Sequence, residues 1–165
     1  MDDVNDDDRK EAIRRLKASL GVILKPEGYR AQDLNWRKTT DDAILVVNVQ
    51  RSMWGQEAFI NLGVFSRRLG DHASPKAFQC HLTARIGQLA PEMDEKLQRI
   101  TYRSLIQSDA MLTAIDQTMR SRILPLLDVA STYEGQRHVI ASINRANNIS
   151  ADGWWVTAHA VHGLS

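Results

Sequence analysis

The chain has 165 residues, 43% of them hydrophobic and 25% charged, with a formal net charge of +1. That length makes one domain the default and allows a core without disulfides or metals, while near-neutrality excludes the basic excess that general nucleic-acid binding needs. The single cysteine, Cys80, cannot form an internal bridge and points to a reducing compartment.

No stretch approaches the roughly 20 apolar residues of a membrane span. Met1 to Asp8 carries five aspartates and no apolar run, unlike a signal peptide. The expectation is a soluble cytoplasmic protein, one α+β domain over residues 1–165, with 1–6 a flexible acidic lead.

In chain order, Asp6, Asp7 and Asp8 suit a helix start, as cap and first-turn anions. Ile13, Leu16, Leu20, Ile23 and Leu24 then recur at helical spacing as one apolar stripe. Burying each is worth about 1.5–3 kcal/mol before entropy is subtracted. Arg9, Lys10, Arg14, Arg15 and Lys17 fall mostly on the other face, and neighbouring acids make a solvated surface the simpler reading than an anionic partner. Pro26 and Gly28 end the helix.

Residues 33–38 read as a first strand, with Leu34 and Trp36 opposed to Asn35 and Arg37. A polar turn, Thr39 to Asp42, leads into a hairpin of two β-rich runs, Ala43–Arg51 and Glu57–Phe65, joined by Ser52-Met53-Trp54-Gly55-Gln56. A loop from Ser66 to Lys76 precedes a fourth strand candidate, Phe78 to Gly87. Residues 92–107 are ambiguous between strand and helix. Asp109 to about Leu127 is a second long helix, which Pro125 kinks or stops. Residues 131–143 form a shorter helix, and Trp154 to Val161 alternates like a closing strand. Short connections exclude helical crossovers, so the expected fold is an antiparallel sheet of four to five strands, packed on one face by the N-terminal helix and the C-terminal helices.

Alternation sorts the strands into two faces. One is apolar: Leu45, Val47 and Val49; Ile60, Leu62 and Val64; Cys80, Leu82, Ala84 and Ile86. The other collects Asn48, Gln50, Asn61, His81, Thr83 and Arg85 among Ile44, Val46, Phe59 and Phe65. A wet sheet face is the plain explanation. Yet amides, a histidine and an arginine among apolar groups also compose a binding pocket or an interface. Trp54, at the hairpin tip, is either a rim anchor or folded onto the core. Candidate binding residues are therefore Asn48, Gln50, Trp54, Asn61, His81 and Arg85.

No catalytic set, cofactor motif or phosphate loop is present. His159 and His162 near Asp152 are too few for a metal site. Cys80 and His81 are adjacent on a strand and point to opposite faces, so they form no dyad. Cys80 reads as a small core hydrophobe.

These residues resemble an uncharacterised bacterial family, domain of unknown function 4304. The resemblance is carried by LKPEGY (Leu24 to Tyr29), Trp36, VVNVQRSMWG (Val46 to Gly55), FINLGV (Phe59 to Val64), CHLTARIGQL (Cys80 to Leu89), ILPLLD (Ile123 to Asp128) and the TYEG that follows. It spans residues 10–140, leaving Trp154 to Ser165 unmatched. Its characteristic positions fall on Asn48, Gln50, Trp54, Asn61, Gly63, His81 and Arg85. The resemblance brings no established activity; small families of this kind often accompany bacterial toxins, and some look like immunity proteins.

The leading expectation is a non-enzymatic module that binds and blocks a toxin-like protein partner. The alternative is an enzyme or small-ligand binder that grips an anionic group with His81 and Arg85 and orients it with Asn48, Gln50 and Asn61. A third reading, a structural domain, expects a homodimer.

Overall fold

The computed structural model describes residues 3–91 and 95–165. Helix α1 spans Asp6–Leu24, and its five stripe residues are all buried. Its cap is Asn5, whose side chain accepts the Asp8 N–H at 2.9 Å; the three aspartates form the first turn. Val4 packs into the main core, so the chain is already held before the helix begins. A 3₁₀ turn, Lys25–Glu27, carries Pro26, and Gly28 (φ 91°) takes the left-handed conformation that ends it.

Among the described residues seven antiparallel strands form one sheet: β1 Arg30–Gln32, β2 Asn35–Thr39, β3 Ala43–Arg51, β4 Glu57–Ser66, β5 Leu82–Arg85, β6 Ile100–Thr101 and β7 Trp155–Val156. Their order is β1-β2-β3-β4-β5-β7. Strand β4 is long enough to pair β5 along Asn61–Val64 and β6 along Glu57–Ala58. The α+β class and the antiparallel pairing are as expected. The strands beyond four or five are two- or three-residue pieces, too short to show a period.

Short helices follow: α2 Ile86–Leu89, α3 Tyr102–Gln107, α4 Ala110–Thr118, α5 Leu124–Ala130, α6 Tyr133–Ala141 and α7 Ala158–Gly163. The ambiguous stretch thus divides into a 3₁₀ turn (Glu95–Gln98), β6 and α3, with 92–94 outside the described residues. The expected helix to Leu127 continues to Ala130. A π turn, Met119–Ile123, joins α4 to α5, with Leu124 N–H reaching Met119 O. This wider turn absorbs Pro125, which has no N–H for an ordinary helical bond.

Two strands are shorter than alternation suggests, for local reasons. Gln79 Oε1 accepts the Lys76 N–H at 2.9 Å and holds Ala77–Gln79 in a 3₁₀ turn. Gln88 Oε1 accepts the Arg85 N–H at 2.7 Å, where α2 begins. Side-chain amides thus cut the Phe78–Gly87 run down to Leu82–Arg85. The expected strand 154–161 stops at Val156 because Thr157 caps α7, its hydroxyl accepting the Ala160 N–H at 3.2 Å.

The main core lies on one face of the sheet and runs from Val4 to Leu164. Leu45, Val47, Val49, Ile60, Leu62, Val64, Leu82 and Ala84 meet the helices there. The C-terminal helices are pinned to the start of β3. Asp42 Oδ2 accepts the Tyr133 N–H at 2.8 Å, and buried Gln136 donates to Ala130 O at 3.1 Å and to Asp42 O at 3.3 Å.

Candidate functional site

The second face of the sheet is only half covered. Residues 67–81 fold over one end, where Ile44, Val46, Phe65 and Cys80 form a separate small core backed by Ala77. Cys80 therefore belongs to this face and not to the helix-packed one, because a 3₁₀ turn and not a strand carries it. Burial pushes its thiol up to about 12, so it stays protonated and unreactive near neutrality. Gly63 makes the close approach possible: a Cβ there would lie 2.7 Å from Cys80 Sγ. Arg37 Nε ties the loop down by donating to Pro75 O at 2.9 Å.

At the open end, the register aligns one polar rung across four strands: Asn35, Asn48, Asn61 and Arg85. The amides are linked in one direction. Asn61 Nδ2 donates to Asn48 Oδ1 at 3.0 Å and to Gln50 Oε1 at 3.0 Å. Asn48 Nδ2 donates to Asn35 Oδ1 at 2.9 Å. The Arg85 guanidinium lies 3.9 Å over the Phe59 ring, a cation–π stack that fixes its plane. Above the rung is a cavity of about 760 Å³, walled also by Lys76, Ala77, Phe78, Thr83, Gln88 and Trp155. Phe78 is 78% exposed and Trp155 48%.

Of the six candidates, the structure brings Asn48, Gln50, Asn61 and Arg85 to this cavity. Trp54 does not fold onto the core; it is 94% exposed at the hairpin tip and is not a wall of the cavity. His81 is displaced from it. It precedes β5, four residues before Arg85, or about 13 Å along the strand. It is 7% exposed, and its Nδ1 accepts the Ser66 N–H at 2.9 Å. Its ring packs 4.6 Å from Phe65 and 5.6 Å from His159 on α7.

Burial, and secondarily His159, lower the His81 pKa below its ordinary 6.5. Above that value His81 is neutral in both folded and unfolded chains and contributes no pH dependence. Below it the unfolded chain takes up the proton first, so stability falls with pH until the lower folded-state pKa is passed. Urea denaturation midpoints from pH 7.5 downward should show that slope. In His81→Asn, which keeps an acceptor near Ser66 N–H, the slope should shrink; an unchanged slope would assign it to other groups.

The polar and aromatic wall residues missed from sequence are Asn35, Lys76, Phe78, Gln88 and Trp155. Asn35 was legible as a strand residue opposed to Trp36, but only the β2–β3 register sets it beside Asn48. Trp155 arrives through pairing of β7 with β5, for which local sequence carries no signal.

A second cavity, about 770 Å³, is bounded by α6 and the last residues of the chain. It mixes both charges, with Asp128, Glu134, Arg137 and Arg145. No group of acids, histidines and cysteines among the described residues is placed to hold a metal. No helix among them is long and apolar enough to cross a membrane.

The fold and the open rung define an α+β protein with a half-covered antiparallel sheet and a polar cavity on its bare end. The chain belongs to the family described as Domain of unknown function (DUF4304), whose model matches residues 20–129. The rung, Lys76 and Phe78 lie inside the matched segment, and Trp155 lies outside it. No curated protein and no solved structure matches the chain.

Proposed function

We propose that this is a cytoplasmic binding module whose open sheet face engages a protein partner, in the manner of an immunity protein that covers a toxin-like protein. The observation that carries this reading is the pairing of a fixed polar rung with exposed aromatic side chains around one cavity, Phe78 and Trp155 at its edge. Exposed aromatics beside an ordered arginine are the usual anchors of protein interfaces. Trp54 offers a further contact at the hairpin tip. Among the described residues, the wall carries two basic side chains, Lys76 and Arg85, and no acid or histidine. That set suits holding a ligand better than relaying protons.

The test is affinity capture from the native host with wild-type protein and with Asn61→Ala/Arg85→Ala. One stoichiometric partner held by the wild type and lost by a folded double variant is the expected result. Equal capture by both would remove this face from consideration. A second reading, a small anionic ligand, is favoured by the cavity volume, which lies within the roughly 300–1,000 Å³ of ordinary ligand sites. It expects a rise in melting temperature with an anionic metabolite that disappears in Arg85→Ala.

A further inference from the structure

We propose that the cavity takes an acidic segment of the partner protein, with its carboxylates seated between Lys76 and Arg85. The inference rests on the reading of the open face as a protein-binding surface. It starts from a charge imbalance. The chain as a whole is nearly neutral, with 20 acids against 21 Lys and Arg. Yet the described wall of this cavity holds two cations and no Asp or Glu. Neither cation is in an ion pair among the described residues.

The amide ladder adds to the imbalance. The oxygens of Asn35, Asn48 and Gln50 already accept bonds from within the ladder. What Asn35 and Gln50 have left for an occupant is mainly their N–H groups. Asn61, with both N–H bonds spent in the ladder, offers its oxygen instead, so the two cations and the outer amide donors carry the match to a ligand of acceptors. Phe59 holds the Arg85 guanidinium by its face, which leaves the N–H edge for a carboxylate to engage with both oxygens. Phe78 and Trp155 at the rim suit the apolar parts of a chain that runs on past the cavity, which a free small acid lacks.

The experiment is calorimetric titration of the full chain at low salt with blocked hexaglutamate. Controls are hexalysine and free glutamate. The wild type should bind hexaglutamate in a saturable one-to-one step and ignore hexalysine. Arg85→Glu and Lys76→Glu should each weaken binding about tenfold or more. Lys10→Glu, on the exposed side of α1 across the sheet, should leave it within about twofold, the margin for a distant surface charge.

Circular dichroism of each variant separates lost binding from lost fold, and exposed Lys76 gives a second variant if Arg85→Glu is damaged. Silence with wild type, an equal loss in Lys10→Glu, or free glutamate binding as tightly as the peptide would each overturn the inference. If hexaglutamate fails while Asn61→Ala/Arg85→Ala still abolishes partner capture, the acidic segment is wrong and the binding face stands. Capture unaffected by the double variant sinks both.

Discussion

Gly135→Ala should destabilise the protein by about 3 kcal/mol or more, although alanine is ordinarily the better helix former by roughly 0.5–1 kcal/mol. Gly135 sits in the first turn of α6, just after α5 ends at Ala130. A Cβ at this position would lie 1.6 Å from the Val129 carbonyl oxygen and 2.6 Å from its carbon. Both atoms are backbone, so no rotamer change relieves the clash, and either α5 or α6 must move. Such a move breaks the ties of α6 to β3, since Tyr133 N–H and Gln136 both reach Asp42. Gly21→Ala is the control. It lies within α1 with nothing inside 4 Å of the new methyl, and it should stabilise by about 0.5–1 kcal/mol. Urea denaturation of the two variants should therefore shift in opposite directions from wild type. A neutral or stabilised Gly135→Ala would mean that the α5–α6 corner is not closed as tightly as described.

What was legible in the sequence follows from which interactions set each element. The central hairpin and α1 carry long periodic patterns, nine or ten residues in the strands and 19 in the helix, and tertiary burial reinforces those patterns. Asn48, Asn61 and Arg85 came out on one face because β3, β4 and β5 keep the period of two through that region. His81 did not join them because it stands four residues before Arg85, at the covered end of the same face beside Phe65, and its imidazole is spent on the Ser66 N–H. Cys80 changed faces because the chain enters β5 only after it. The alternation rule holds only inside a strand, and the bonds made by Gln79 and Gln88 set where this strand begins and ends. The remaining cavity walls depend on contacts between distant segments. Lys76 and Phe78 come from a loop laid over the sheet, and Trp155 from the far end of the chain. No local pattern encodes such meetings.

The two adjacent tryptophans near the C-terminus provide a separate expected result, because they point to opposite sides of the sheet. Trp154 is 0% exposed and packs in the main core with Val156, Ala160 and Leu164. Its indole N–H finds no acceptor among the described residues, so its contribution is packing alone. Trp154→Ala should cost about 3–5 kcal/mol. Trp155 faces the cavity and is bonded to the sheet through backbone register opposite Thr83. Trp155→Ala, at a half-exposed side chain, should cost no more than about 1–2 kcal/mol, clearly less than Trp154→Ala, while weakening the hexaglutamate binding expected of the cavity. The pair separates two roles of a segment that lies beyond the family match. If Trp154→Ala is nearly neutral in urea denaturation, the segment is an appendage and its tryptophans say little about the site. If the loss is large and global, the segment is part of the core. The wall at Trp155 is then as firmly placed as the rung it faces, and this chain adds a rigid aromatic edge to a surface whose polar floor lies within the family-matched segment.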